Sequence, residues 1–182
     1  MTSHVRYARA RKRSRQGMTL IELCIVLVIL GILLVVAVAS LMRARVVANE
    51  SSATAMLRSI TKAQFAYYAE CGRGFYAPSL TQLGSPRPGR QISYLAEDIG
   101  LVDNPQRNGY RFNVRPAADA MPGLTDCGGS ATRSTYYASA VPVALGRTGD
   151  RSFATTQSNS IWATAGVVPP TEPFGAPAQL VH

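Results

Sequence analysis

Histidine is almost missing from this chain: 182 residues hold two, His4 and His182, one near each end. Histidine is the side chain whose ordinary pKa best suits proton transfer at neutral pH, so its scarcity removes the commonest acid–base chemistry. No cysteine–histidine pair, glycine-rich phosphate loop or metal-spaced cluster stands in its place. Catalysis, a cofactor and a bound metal therefore find no support. Acids are absent from residues 1–17, which carry Arg6, Arg9, Arg11, Lys12, Arg13 and Arg15. Proline is absent from Met18 to Glu70, and glycine occurs there once, as Gly31. Nothing in that stretch stops a helix, which would run roughly 80 Å.

What is present is a basic leader ending in Gly17, then an apolar run from Leu20 to Met42 broken early by a single acid, Glu22. A carboxylate at the centre of a spanning helix costs roughly 2.5–3.5 kcal/mol, so acids within such helices usually have a partner and a task. Glu22 lies at one end of the run, near the membrane face, which lowers the cost without removing it. Two ordinary readings compete for this segment. A secretory signal peptide would use Ala37-Val38-Ala39 as its cleavage site before Ser40, but the apolar run is far longer than a signal core and Glu22 corrupts its start. A plain membrane anchor accounts for the length. It does not account for Gly-Met-Thr-Leu-Ile-Glu.

That hexapeptide, Gly17, Met18, Thr19, Leu20, Ile21 and Glu22, followed by about twenty apolar residues, resembles the type III leader of type IV prepilins and type II secretion pseudopilins. Gly31 falls at that family's helix glycine, and Leu41 to Gln64 looks like the amphipathic stem of many pilin-like proteins. The resemblance is strong over residues 17–64 and weaker beyond. It implies cleavage after Gly17 by a prepilin peptidase, N-methylation of Met18, and assembly into a helical filament in which Met18 and Glu22 act. Ala39 departs from the pattern, because most members carry a helix-loosening proline there.

The net charge is +9, but its location matters more than its size. Six of the 19 basic residues fall in the leader, leaving 13 against 10 acids, a small excess. The leader's charge reads as positive-inside retention of the N-terminus in the cytoplasm. The remaining arginines are scattered, so nucleic-acid binding has no warrant.

Three segments follow: a cleaved leader, 1–17; a long helix, 18–70, transmembrane over about 20–42 and an amphipathic stem over 43–70; and a head, 71–182. In the stem, Ala53, Leu57, Ile60, Gln64 and Tyr67 recur at helical spacing, with Met56 and Ala63 beside them. Arg43, Arg45, Glu50, Arg58 and Lys62 read as intervening surface. Helix punctuation ends at Cys71-Gly72-Arg73-Gly74. Ser79 and Gln82 match a capping box and Gly84 a stop, giving one helical turn. A loop through Pro86, Pro88 and Gly89 precedes a short helical piece near Tyr94 to Leu101. From Gly109 the period becomes two, with Tyr110, Phe112 and Val114 alternating against Arg111, Asn113 and Arg115. Ser134 to Val143 reads as a second strand, and Ser152–Thr156 with Ile161–Thr164 as a hairpin. The proline-rich tail from Val168 reads as extended and mobile. The fold class is therefore α+β: a long N-terminal helix packed against a small antiparallel sheet, pilin-like.

Cys24 sits in the apolar run as a small packing residue. Cys71 and Cys127 fall in the exported head, an oxidising compartment, where a disulfide is the favoured reading and two reduced thiols the rival. Asp98, Asp103, Asp126 and Asp150 lie in turn-rich stretches and read as turn and cap residues. Some pseudopilins bind calcium in this region, but that spacing is not recognisable here. Phe65, Tyr67, Tyr68, Phe75 and Tyr76 read as packing at the helix end rather than a path for electrons. Asn49-Glu50-Ser51 matches a glycosylation acceptor but falls mid-helix, which disfavours it.

The whole points to a structural protein, not an enzyme. Its expected partners are copies of itself, a prepilin peptidase and methyltransferase, and an inner-membrane assembly platform. Before assembly it would be a single-pass inner-membrane protein. Afterwards it would lie in a surface pilus or, on the alternative reading as a type II secretion pseudopilin, in a periplasmic pseudopilus.

Overall fold

The structure is a computed structural model, and it describes residues 18–86, 89 and 92–181. The leader with Gly17 and His4, Pro88 of the linker, and His182 lie outside the described residues. One helix, α1, runs Leu20–Glu70, as expected of a stretch without proline. The chain divides into two units, Met1–Ser40 and Leu41–His182.

In the first unit the described side chains from Met18 onward are exposed on every face of α1, and its most apolar 18-residue window has a mean hydropathy of 3.2. By length and composition alone, that suffices to cross a bilayer.

The second unit holds the remainder of α1, two short helices and a six-stranded antiparallel sheet. The helices are α2 (Leu80–Gly84) and α3 (Glu97–Gly100). The strands are β1 (Gln106–Arg107), β2 (Tyr110–Pro116), β3 (Tyr136–Pro142), β4 (Arg151–Thr156), β5 (Ile161–Ala165) and β6 (Gln179–Val181), paired in sequence order. Each strand therefore neighbours the next in the chain, which short connections favour. Ala53, Leu57, Ile60, Gln64 and Tyr67 on α1 are all buried, and the apolar ones share one core with Tyr110, Phe112 and Val114, the inward residues of β2. Gln64 survives in that core because its amide is fully used: Nε2 donates to the Ala77 carbonyl at 2.8 Å and Oε1 accepts from the Ala77 N–H at 2.9 Å. α2 and α3 meet through glycine, since a Cβ on Gly84 would overlap the backbone of Gly100.

Ser79 caps α2 by accepting from the Gln82 N–H at 3.2 Å. The reciprocal half of the capping box is not made. Gln82 Nε2 instead donates to Tyr67 Oη at 2.7 Å and Asp126 Oδ2 at 3.0 Å. Tyr67 Oη in turn donates to Asp126 Oδ2 at 2.7 Å, and Asp126 Oδ1 accepts from the Gly128 and Ser130 N–H groups. Partial burial works to raise the Asp126 pKa, but hydrogen bonds from Tyr67, Ser130, Gln82 and Gly128 outweigh it and hold the carboxyl below its usual range. Burial, followed by the hydrogen bond to Asp126, pushes the Tyr67 hydroxyl up. Asp126 is a turn residue, as expected, and also the hub of this network.

Two expectations need correction. Glu50 is not surface punctuation: it is 7% exposed. Its Oε2 accepts from Arg151 Nε at 2.9 Å and Nη2 at 2.6 Å, and its Oε1 accepts from the Asp150 N–H at 2.9 Å. The helix is thereby joined to the start of β4. Charge-assisted bonds of this kind contribute more than neutral ones, though the half-exposed Arg151 tempers the gain. Glu50→Ala should destabilise the second unit by about 2 kcal/mol, and Glu50→Gln by less, because its amide oxygen can still accept from Asp150. Thermal unfolding of the full chain in detergent, followed by circular dichroism, measures both. Equal stability of all three chains would show that the contact contributes nothing.

The tail is the second correction. Far from ending as a free extended segment, it closes the sheet as β6, whose Val181 pairs with Ile161. On the way it crosses the sheet face opposite α1. The Pro170 carbonyl accepts from Tyr137 Oη at 2.6 Å, and Phe174 packs on Tyr137 and stacks on Trp162. A second small core of Ala117, Tyr137 and Ala154 results. Hence nearly every residue of β3 is buried, on both faces, where a half-solvated meander would alternate. Burial pushes the Tyr137 hydroxyl up to about 12, against the nearby Arg115 charge.

Candidate functional site

The residues singled out at the N-terminus are Met18 and Glu22. Thr19 stands at the entrance of α1, where its Oγ1 accepts from the Glu22 N–H at 3.3 Å and its carbonyl from the Leu23 N–H at 3.2 Å. Thr19 is therefore the helix N-cap and Glu22 occupies the third helical position, the Ser/Thr-x-x-Glu spacing of a capping box. The Thr19-x-x-Glu22 spacing is visible in the sequence, so Thr-Leu-Ile-Glu has a local structural reason beside its family resemblance. Capping fixes the first turn of α1 directly after Met18.

Glu22 is the acid of that first turn. The aligned peptide dipoles there favour a negative charge. Its carboxylate makes no hydrogen bond or ion pair among the described residues, and it is exposed. Around it Leu20 is 81% and Ile21 68% exposed, so one carboxylate stands on an otherwise apolar surface. Such a group is tolerable at a lipid boundary and costly once covered by apolar neighbours, unless a cation meets it. Met18, 63% exposed, precedes the cap, and a free amine there would lie at the same end of the helix. Gly17, the residue before the expected cleavage, lies outside the described residues. Cys24 is exposed with a free thiol.

The other sequence-selected residues belong to the second unit. A disulfide joins Cys71 to Cys127, with Cα atoms 4.9 Å apart, and the Cys127 N–H donates to the Cys71 carbonyl at 3.0 Å. The helix end is thus tied to the loop before β3, beside the Asp126 network. Among the aromatic residues, Tyr67 and Tyr76 are buried, while Phe65 and Tyr68 are partly exposed with their rings against Tyr76. Tyr136 sits behind Tyr76, its ring centroid 5.1 Å away, and burial lifts its hydroxyl to about 12. Among the described residues no three acids, cysteines or histidines are grouped to hold a metal ion.

Residues 12–38 match the family described as the prokaryotic N-terminal methylation motif. No curated protein and no solved structure matches the chain. The match runs from the end of the basic leader into the apolar first part of α1, and it is consistent with an inner-membrane-anchored precursor. A prepilin motif implies processing by a prepilin peptidase and assembly into pili, which makes the family one of structural subunits rather than enzymes. Carried at the head of a long helix and followed by a six-stranded antiparallel sheet, the motif supports this chain as a type IV pilin-like or pseudopilin-like prepilin.

Proposed function

We propose that this chain is the structural subunit of a type IV pilus-like filament, cleaved between Gly17 and Met18 and polymerised through α1. The observation that carries the reading is a single capped carboxylate, Glu22, on a helix whose described side chains from Met18 to Ser40 are exposed and overwhelmingly apolar. A helix apolar on all sides needs either lipid or other helices around it. A filament of identical helices supplies the second environment after the membrane has supplied the first. The small Gly17 gives a peptidase access to the bond at the membrane face, and the basic leader holds that face in the cytoplasm.

Mass spectrometry of the mature protein should find Met18 at the N-terminus carrying one added methyl group. A terminus at Ser40 would establish secretory-signal cleavage and sink the proposal. Sheared surface fibres containing the mature chain are the expected location. A chain found only in the periplasm, whose deletion blocks protein export while leaving surface fibres intact, would replace the pilus reading with that of a secretion pseudopilin.

A further inference from the structure

The face of the sheet opposite α1 holds an open cavity of about 550 Å³. That volume lies in the range of small-molecule sites, about 300–1,000 Å³. Three segments build it: the loop after β2 with Asp119, the stretch from the β4–β5 turn into β5 with Gln157, Ser160 and Trp162, and the tail with Glu172 and Phe174. Trp162 and Phe174 are stacked, their ring centroids 5.8 Å apart and their planes within 23°. Together they form an apolar wall, one ring from β5 and one from the tail.

The polar groups around this wall are largely unspent. Trp162 Nε1, the Gln157 amide and the Ser160 hydroxyl make no hydrogen bond among the described residues. Asp119 uses Oδ1 to accept from Thr135 Oγ1 at 3.2 Å, and Glu172 uses Oε2 to accept from the Ala118 N–H at 3.1 Å, leaving one oxygen of each carboxylate available. Donors and acceptors thus ring an aromatic surface in similar numbers.

From this arrangement we infer that the cavity binds a neutral saccharide. A sugar ring offers an apolar C–H face to an aromatic wall and hydroxyls to groups at its rim, each hydroxyl both donating and accepting. Neither lysine nor arginine lines the cavity, while two acids do, so phosphate, sulfate and other anions are repelled. An organic cation is the weaker fit, because Arg115 stands 4.0 Å from Glu172 and offsets the charge of that acid. This inference goes beyond filament assembly and does not depend on it.

Trp162 is the chain's one tryptophan, so tryptophan emission excited apart from the tyrosines reports the surroundings of this cavity residue. The full chain, held in a detergent whose headgroup is not a sugar, is titrated with lactose, maltose, cellobiose and N,N′-diacetylchitobiose, and separately with choline. At least one disaccharide should give a saturable change with a dissociation constant of about 1 mM or tighter. Asp119→Asn and Gln157→Ala, both at exposed positions, should keep the thermal unfolding profile and weaken that sugar about tenfold. Absence of any saturable response to the four sugars would overturn the proposal. So would sugar affinity that neither substitution alters, or saturation by choline at a lower concentration than by any sugar.

Discussion

Glu22→Gln should be cleaved and inserted like the native chain and yet polymerise poorly, with subunit addition weakened by about a hundredfold or more. The reason lies in what α1 cannot do without its acid. Dispersion contacts between apolar helices are nearly indifferent to axial sliding, so a bundle of such helices needs a directional element to fix its stagger. The amine that cleavage creates at Met18 can supply the cation for a neighbour's Glu22. In a dry helix bundle each charge is costly alone, and removing one partner of such a pair costs about 3–5 kcal/mol, mostly from the group left behind. A glutamine keeps the shape and part of the polarity but leaves the amine unneutralised. Glu22→Ala should insert at least as well as the native chain, since it removes a charge from lipid, and assemble no better than Glu22→Gln. Filament yield in sheared or secreted fractions, set against the membrane pool, reads the effect. Normal yield from both variants would mean that register is set elsewhere.

Most of the helical architecture was legible because its causes are local. Absence of proline from Met18 to Glu70 permits one helix, and the spacing of Leu57, Ile60, Gln64 and Tyr67 states which face is covered. The alternation through Tyr110, Phe112 and Val114 likewise names the inward face of β2 without knowledge of its partners. What the sequence does not reveal depends on contacts between distant residues. Glu50 has the same letter whether solvated or bonded to Arg151, 101 positions later, so its burial had no local signal. The prolines of the tail argued against regular structure, as they do before Gln179, but not against packing. Pro170 enters the fold through its carbonyl, which proline retains. Once the tail covers Tyr137, the two-residue period of β3 disappears, and a strand buried on both faces cannot be oriented from its pattern. At the N-terminus the motif was legible as a string, whereas Thr19 as the cap of α1 emerged only from the geometry.

Loss of the Cys71–Cys127 disulfide should be the most damaging change to the second unit. The two residues are 56 positions apart, and closing a loop of that length restricts the unfolded chain by about 4 kcal/mol on the chain-entropy account. The bridge also keeps Asp126 within reach of Tyr67 and Gln82, which otherwise must hold the loop unaided. Those hydrogen bonds contribute about 1–3 kcal/mol each at most, and they become less effective when the loop is free to leave. Replacing both cysteines by serine should therefore lower the unfolding midpoint of the full chain by about 10 °C. The double substitution is preferred, because either single one leaves a reactive thiol beside the helix end. Pairing can be checked first without mutation. The unreduced, denatured chain should present one titratable thiol, from Cys24, and three after reduction. Three thiols before reduction would refute the bridge. An unchanged midpoint in the double variant would instead leave the bridge in place but assign the stability of the loop to the Asp126 network, a distinction that Asp126→Asn in the serine background would then measure directly.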